Sequence, residues 1–366
     1  MKKIHLSLIF LILWHPFANA EINQVFLDKK VQNFVKAKPV KAMVYGLWIK
    51  GQPISIKALG ESMTAVPATT EMHFRIGGVT ETMLTTVLMQ LVERNKIALD
   101  AKIARWFPDL PNASEVSLQM LANGTSGYPD YVFNKKFDEI DSKHPFKKWT
   151  DKELIDLAFL QPPLFKPGAS QHYSHTDYVL LGNILSQIAN KPLGELLQSN
   201  ILTPLGMKET RFDLTAEIPS PVLHSFSDVR TIYEDATYWS PSWTSSSGSM
   251  VSTINDLGKW ANAWLKGSLV TPESTKQLRA TDTVGKGSNK PNLYFAMGFG
   301  VANHWLMQNP SFGGYSGIFA VLPEKNIVFI AFNTLQPGDK TNTNWSKILW
   351  QVLATELSPE NLVPHF

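Results

Sequence analysis

The sequence predicts a mixed α/β (α+β) fold, in which an antiparallel sheet is flanked by helices and joined to a mostly helical region. Two observations lead to this prediction. Apolar segments rich in β-branched residues lie near both ends of the chain, whereas helical periodicity and turn signals fill the middle. Strands from the two ends can then form one sheet, with the helical region inserted between them.

The predicted strands form two hairpins. In the first, residues 42–49 and 54–59 flank a turn that contains Gly51. In the second, residues 318–322 and 327–332 flank a turn that begins with a proline. We expect both hairpins to lie in the same sheet.

The longest predicted helix runs from Thr80 to Asn95. Its apolar residues recur at i, i+4 and i+8, and Glu81 is the only charged residue between Thr80 and Leu91. This helix should therefore be buried on most sides. Shorter helices are predicted at about residues 151–160, 178–188, 255–265 and 344–357.

The first twenty residues have the pattern of a signal peptide. Lys2 and Lys3 precede the apolar segment 4–14, and residues 18–20 provide the small side chains of a cleavage site. The apolar segment is much shorter than the ~20 residues that a membrane-spanning helix needs. We therefore predict cleavage after Ala20 and a periplasmic or secreted protein without a membrane span.

The remaining residues, 21–366, are predicted to form a single domain. Its sheet part should comprise about residues 21–80 and 285–366, and its helical part about residues 81–284. The sequence does not determine the oligomeric state.

The composition excludes several kinds of site. The chain has no cysteine, so it can form neither disulfides nor thiolate metal sites. Without Lys2 and Lys3, 32 basic residues balance 31 acidic ones, which argues against a nucleic-acid partner. We also expect no cofactor.

Seven segments, in a characteristic order and at characteristic intervals, carry a family resemblance. They are Phe74–Thr80, Leu91–Asp100, Met120–Gly127, Phe165–Gly168, Tyr173–Gly182, Pro204–Met207 and Gly248–Thr253. Together they resemble the superfamily of serine beta-lactamases and D-alanyl-D-alanine carboxypeptidases. The resemblance is closest to the class C-like branch of penicillin-binding proteins and esterases, and it covers about residues 42–357. It implies a beta-lactamase/DD-peptidase-like fold.

The resemblance also implies three catalytic elements, each of which departs here from the family pattern. The family's Ser-x-x-Lys supplies a nucleophile and an amine, but here Gly78 stands at the nucleophile position and Glu81 at the lysine position. The family's Tyr-x-Asn becomes Tyr173–His175. Its Lys- or His-x-Gly strand becomes Ser311–Gly313.

These departures predict a noncatalytic homologue, because a glycine cannot form an acyl-enzyme. Such a pseudoenzyme would bind a peptidoglycan-derived or D-amino-acid ligand, or a protein partner. The predicted ligand-binding cleft consists of Gly78, Glu81, Tyr173, His175, Ser311 and Gly313.

One alternative is a serine hydrolase, a peptidase or esterase, with a rebuilt site. Ser311 would be its nucleophile, His175 its base and Glu81 the residue that orients the base, with Tyr173 alongside. Contact with the imidazole would then lower the pKa of Glu81. The same side chains could instead meet only to hydrogen-bond one another.

Two further alternatives are weaker. A metal site could use Glu81, His175 and Asp177, but one histidine with carboxylates is a poor zinc set, and we expect no metal. Tryptophans could line a glycan-binding cleft, although the spacing of two of them favours core packing. The four tryptophans are Trp239, Trp243, Trp260 and Trp264, and the last two are the pair spaced for the core.

Overall fold

Strands from the two ends of the chain pair with each other at the centre of one antiparallel sheet. In the computed structural model, Val44 near the amino end lies opposite Phe332 near the carboxyl end. The predicted placement of both terminal hairpins in one sheet is therefore confirmed. The structure describes residues 24–339 and 343–364, so the predicted signal peptide lies outside the described residues.

The strands are numbered in chain order. They are β1 Val40–Ile49, β2 Gln52–Met63, β3 Val66–Pro67, β4 Phe74–Arg75, β5 Arg211–Phe212, β6 Phe226–Ser227, β7 Glu234–Asp235, β8 Met250–Ser252, β9 Leu293–Phe295, β10 Gly300–Ala302, β11 Trp305–Gln308, β12 Ser311–Phe312, β13 Tyr315–Leu322 and β14 Ile327–Leu335.

Most of the helices in the described part of the chain lie in succession between β4 and β5. In chain order, the helices of that part are α1 Gln24–Ala37, α2 Val79–Glu93, α3 Leu118–Ala122, α4 Lys135–Lys143, α5 Asp151–Ala158, α6 His175–Ala189, α7 Leu193–Leu197, α8 Thr203–Leu205, α9 Ile254–Lys266, α10 Pro272–Leu278 and α11 Trp345–Leu357. No helix in the described part of the chain has the length and apolar character that crossing a membrane requires.

The main sheet has the strand order β3-β2-β1-β14-β13-β11-β10-β9, and β12 pairs with β13. The first hairpin turns at Lys50 and Gly51, both of which have positive φ angles, of 53° and 81°. A two-residue turn of this kind matches the right-handed twist of antiparallel strands. Strand β1 therefore ends at Ile49, as the sequence predicts, whereas β2 already begins at Gln52, before its predicted start at residue 54.

Hydrophobic cores lie on both faces of the main sheet. On one face, α1 and α11 cover β1, β13 and β14, and Trp350 packs edge-to-face against Trp305 at 5.7 Å. On the other face, α9 packs on β1 and β14, and its Trp260 and Trp264 are buried as the core alternative predicts. This second core continues into the helical region and surrounds α2.

Helix α2 is buried along nearly its whole length. Every residue from Val79 to Leu91 is buried, as its apolar periodicity predicts. Thr82 and Thr86 satisfy their hydroxyl groups by donating to backbone carbonyls one turn earlier, at 2.7 Å each. The amino-terminal end of this rigid helix carries the first two residues of the candidate site.

Candidate functional site

The amino-terminal end of α2 places Gly78 against strand β11. Gly78 has φ −59°, which any residue can adopt, so its backbone does not require glycine. A Cβ atom built on Gly78 would nevertheless lie 2.7 Å from Oε1 of Gln308. The Gln308 side chain therefore fills the space in which a nucleophile at this position would stand.

Glu81, one helical turn further along α2, is fully buried. The hydroxyl group of Tyr173 donates to its Oε1 at 2.5 Å, and Nε2 of Gln308 donates to its Oε2 at 3.1 Å. The same Gln308 nitrogen donates to the carbonyl of Gly298 at 2.7 Å. Two neutral donors thus hold the carboxyl group in a fixed position.

Burial raises the pKa of Glu81 well above its ordinary value, because the hydrogen bonds from Tyr173 and Gln308 only partly oppose the desolvation. The prediction that an imidazole lowers this pKa is wrong. The physical reason is that Glu81 has no cationic partner among the described residues, so desolvation dominates. Burial likewise raises the pKa of Tyr173, and the adjacent Glu81 adds to the effect.

His175, the first residue of α6, is paired with a carboxylate that the sequence analysis did not identify. Its Nδ1 lies 2.8 Å from Oδ2 of Asp130, and the Asp130 side chain has no solvent exposure. Oδ1 of Asp130 accepts from the backbone N–H of Val132 at 3.0 Å. The predicted pairing of His175 with Glu81 is therefore wrong.

Burial raises the pKa of Asp130, but the imidazole of His175 and the hydrogen bonds from His175 and Val132 lower it more, so the net shift is downward. The environments of the two carboxyl groups thus shift their pKa values in opposite directions. Burial shifts Glu81 towards its neutral form, whereas the imidazole and the hydrogen bonds shift Asp130 towards its charged form.

Aromatic side chains surround the imidazole. Tyr173 meets His175 edge-to-face at 5.0 Å, and the rings of Tyr131 and Trp243 lie 6.0 Å from it. Trp243 in turn stacks on Phe312 at 5.4 Å. We call these four aromatic residues, Tyr131, Tyr173, Trp243 and Phe312, the aromatic wall.

Ser311 does not join this arrangement. It is exposed on β12 opposite Ser316 of β13, and its neighbour Phe312 is buried against Trp243. Within residues 24–339 and 343–364, no hydrogen bond links Ser311 to His175 or His175 to Glu81. The Ser311–His175–Glu81 set is therefore not assembled as a hydrogen-bonded triad, because the imidazole is held by Asp130.

The other predicted residues have separate surroundings. Gly313 lies in the turn after β12 with φ 44°, a conformation that favours glycine. Asp177 is buried in α6 and accepts from the Ser126 hydroxyl at 2.6 Å, so it does not face Glu81 and His175 as a third ligand. In the described segments, no three His, Asp or Glu side chains are grouped to hold a metal ion.

Two residues of the site, Asp130 and Gln308, were missed by sequence reasoning. Gln308 is a polar residue at the end of the apolar strand β11, a weak signal of a buried polar contact. Asp130 follows a proline in a loop and caps a short 3₁₀ turn, which gives no indication of an imidazole partner. Their partners lie 227 and 45 residues away in the sequence, so only the fold brings them together.

Sequence comparisons identify relatives over most of the chain. The sequence profile of the beta-lactamase family matches residues 27–352. An uncharacterized protein of Mycobacterium tuberculosis is 24% identical over 64% of this chain, and the match spans 66% of that protein, just under two thirds of its length. A D-alanyl-D-alanine carboxypeptidase/endopeptidase of Escherichia coli is 24% identical over 72% of this chain and 71% of its own.

Structural comparison gives a similar result. The structure of the D-amino acid amidase from Ochrobactrum anthropi in complex with D-phenylalanine superimposes with a TM-score of 0.77. The alignment covers 91% of this chain and 98% of the amidase, at 25% sequence identity. The main sheet and the helices that carry the candidate site therefore follow an architecture already known in hydrolases.

Proposed function

We propose, from the premise that this chain belongs to the beta-lactamase family, that it is a noncatalytic member whose cleft binds a cell-wall-like ligand containing D-amino acids. One observation carries the proposal. Gly78 has no side chain, and Gln308 fills the space where a nucleophile would stand. Without a hydroxyl group at this position, the family's acyl-enzyme cannot form, and only binding interactions remain.

The state of Glu81 supports the same conclusion. An amine at this position would take the proton of a neighbouring hydroxyl group, but a protonated carboxyl group cannot do so. Burial favours the protonated form of Glu81, and both its oxygens already accept hydrogen bonds, from Tyr173 and Gln308. These contacts support a role for Glu81 in packing the site rather than in proton transfer.

The proposed ligand class rests on the relatives and on the aromatic wall. The Ochrobactrum amidase and the Escherichia coli carboxypeptidase/endopeptidase are both named for D-amino-acid substrates. Within the aromatic wall, Tyr173 and Trp243 are partly exposed and offer ring surface beside the partly exposed His175. Ligand sites commonly combine such surface with a few polar groups. These features support a small ligand that has both apolar and polar groups.

We also propose that the chain is exported, on the basis of the signal-peptide pattern in residues 1–20. Amino-terminal sequencing of the protein purified from its native cell tests this proposal. We expect the mature chain to begin at Glu21. Recovery of Met1 or Lys2 at the amino terminus would contradict it.

The central experiment separates acylation from binding. The purified protein is incubated with a fluorescent penicillin, and its intact mass is measured; we expect no covalent adduct. In parallel, calorimetry with N-acetyl-D-alanyl-D-alanine should detect reversible binding. A stoichiometric penicillin adduct would overturn the proposal. Loss of that adduct in Ser311→Ala would then identify Ser311 as the nucleophile of a rebuilt hydrolase.

A further inference from the structure

A basic pocket that shares no residue with the candidate site is formed by the loop after α4 and by the tip of the β6–β7 hairpin. Its volume is about 500 Å³, and none of the described residues that line it carries a carboxyl group. These lining residues are Lys143, His144, Pro145, Phe146, Lys147 and Arg230. A concave surface lined by charge of one sign concentrates ions of the opposite sign. The pocket should therefore attract an anion.

Two of the cationic side chains have donors that the fold leaves unused. Within the described chain, the ammonium group of the exposed Lys143 makes neither an ion pair nor a hydrogen bond. The guanidinium group of Arg230 makes no hydrogen bond there, and its Nε lies 3.6 Å from Oε1 of Glu234. Guanidinium has five N–H donors in a planar fork that suits two oxygens of one anion. Both groups can thus bind a ligand without breaking a hydrogen bond of the fold.

Lys147 adds a third positive charge whose position is fixed. Its Nζ lies 2.7 Å from Oε1 of Glu153 and 4.4 Å from the centre of the Trp149 ring. Glu153 offsets part of this charge, but no carboxylate of the described chain is paired with Lys143. The ion pairs therefore orient the cationic side chains and still leave the pocket with a positive balance.

Both walls of the pocket are fixed by contacts within the protein. In the loop after α4, the carbonyl of the buried Pro145 accepts from the backbone N–H of Ser240 at 2.8 Å. In the β6–β7 hairpin, the rings of Phe226 and Tyr233 stack at 5.1 Å. A preformed pocket orders fewer groups when it binds, so more of the interaction free energy appears as affinity.

We infer that this pocket binds a phosphate monoester group, held by Lys143, Lys147 and Arg230. Such a group has about two negative charges and three terminal oxygens, which match three cationic side chains better than the single charge and two oxygens of a carboxylate. The remaining volume, beside Pro145 and the exposed Phe146, accommodates a small organic group attached to the phosphate. Because the pocket is separate from the candidate site, this inference does not depend on the proposed function.

The test is calorimetry of the full-length mature protein in Tris at low salt and about pH 7.5, where the monoester is mostly doubly charged. Glycerol 1-phosphate is the soluble probe, and phosphatidic acid in phosphatidylcholine vesicles is the lipid probe. Acetate and pure phosphatidylcholine vesicles are the negative controls. We expect at least one phosphate probe to bind about tenfold or more tightly than its control. Added salt should weaken this binding, because it screens exposed charges.

Four variants complete the experiment. Lys143→Gln and Arg230→Gln should each weaken phosphate binding about fivefold or more, because each removes a cationic donor. Lys143→Arg keeps the charge and should bind nearly as well as the wild type. Lys152→Gln is the matched control, because Lys152 is exposed, pairs with Asp156 and does not line the pocket. It removes one positive charge and should leave the affinity unchanged.

The outcomes decide both the site and the source of the phosphate. Binding that Lys143→Gln and Arg230→Gln leave unchanged, or that Lys152→Gln weakens equally, would overturn the inference. Binding of neither phosphate probe, or acetate binding as tight as that of glycerol 1-phosphate, would also overturn it. Binding of glycerol 1-phosphate that depends on Lys143 and Arg230 would support a soluble ligand. The same dependence with phosphatidic acid vesicles alone would support a lipid headgroup.

Discussion

Oε1 of Gln308 lies 2.7 Å from the position that a Cβ atom on Gly78 would occupy. The two residues come from β11 and from the start of α2, and the fold brings them into contact. Gln308 is held in place because its Nε2 donates to Gly298 and to Glu81. The space beside Gly78 is therefore filled by a packed polar cluster that contains Gln308 and Glu81.

Restoring the hydroxyl group alone should not restore acylation. We expect Gly78→Ser to form no adduct with a fluorescent penicillin, because Gln308 crowds the new side chain and Glu81 provides no amine to take its proton. The double variant Gly78→Ser with Glu81→Lys should react faster, and Gln308→Ala added to it should react faster still. Intact mass measures the adduct. Rapid labelling of the single variant would show that this explanation is wrong.

Glu81 should make the protein less stable as the pH rises. The pKa of Glu81 is raised in the folded state. Its contribution to stability is therefore complete below the unfolded pKa of about 4.5, and it is lost as the pH rises from there to the folded pKa. Between these two pKa values, the free energy of unfolding falls by about 1.4 kcal/mol per pH unit. Glu81→Gln removes this dependence. Urea unfolding of both proteins from pH 5 to pH 8 should show a widening advantage for the variant, whereas parallel curves would exclude a buried, protonated Glu81.

Asp130 should have the opposite dependence. The pKa of Asp130 is lowered in the folded state. Its contribution to stability is therefore present above the unfolded pKa of about 3.8, and it is lost as the pH falls through the folded pKa. We expect Asp130→Ala to cost about 1–3 kcal/mol at pH 7, because His175 and the Val132 N–H both lose an acceptor. Asp130→Asn should cost less. Urea unfolding at pH 7 measures both costs, and a neutral Asp130→Ala would contradict the pairing.

Ser311 should be dispensable. It is exposed on β12 and has no hydrogen bond to His175 in the described structure, so Ser311→Ala should hydrolyse p-nitrophenyl acetate at the same background rate as the wild type. His175→Ala serves as the comparison, because it tests whether any background rate depends on the imidazole. A rate that falls in both Ser311→Ala and His175→Ala would support the rebuilt hydrolase.

The packing of α9 against the sheet depends on Gly258. A Cβ atom there would lie 2.4 Å from the Trp48 ring, so Gly258→Ala should cost about 1–3 kcal/mol through overpacking. Gly194 in α7 is the matched control, because its Cβ would have no neighbour closer than 3.5 Å. Gly194→Ala should be neutral or stabilise by up to about 1 kcal/mol. Thermal unfolding measures the change in stability of both variants. Equal changes would contradict the close approach of Gly258 to Trp48.

The sequence by itself determined the central elements of the fold and the placement of both terminal hairpins in one sheet. Periodicity of apolar residues defined α2 and both terminal hairpins, because burial of one face of a helix or strand leaves a repeating pattern in the chain. The family segments identified where the catalytic residues would stand. From these segments the sequence also predicts that Gly78 and Glu81 stand where the family pattern has a nucleophile and an amine.

Only the tertiary structure decided which side chains meet at the site. Sequence reasoning paired His175 with Glu81, but the fold pairs His175 with Asp130 and surrounds Glu81 with Tyr173 and Gln308. Such pairs join segments far apart in the chain and leave no periodic signal. The protonation of Glu81 was likewise decided by tertiary structure, because desolvation depends on everything that packs around the carboxyl group and not on its neighbours in sequence.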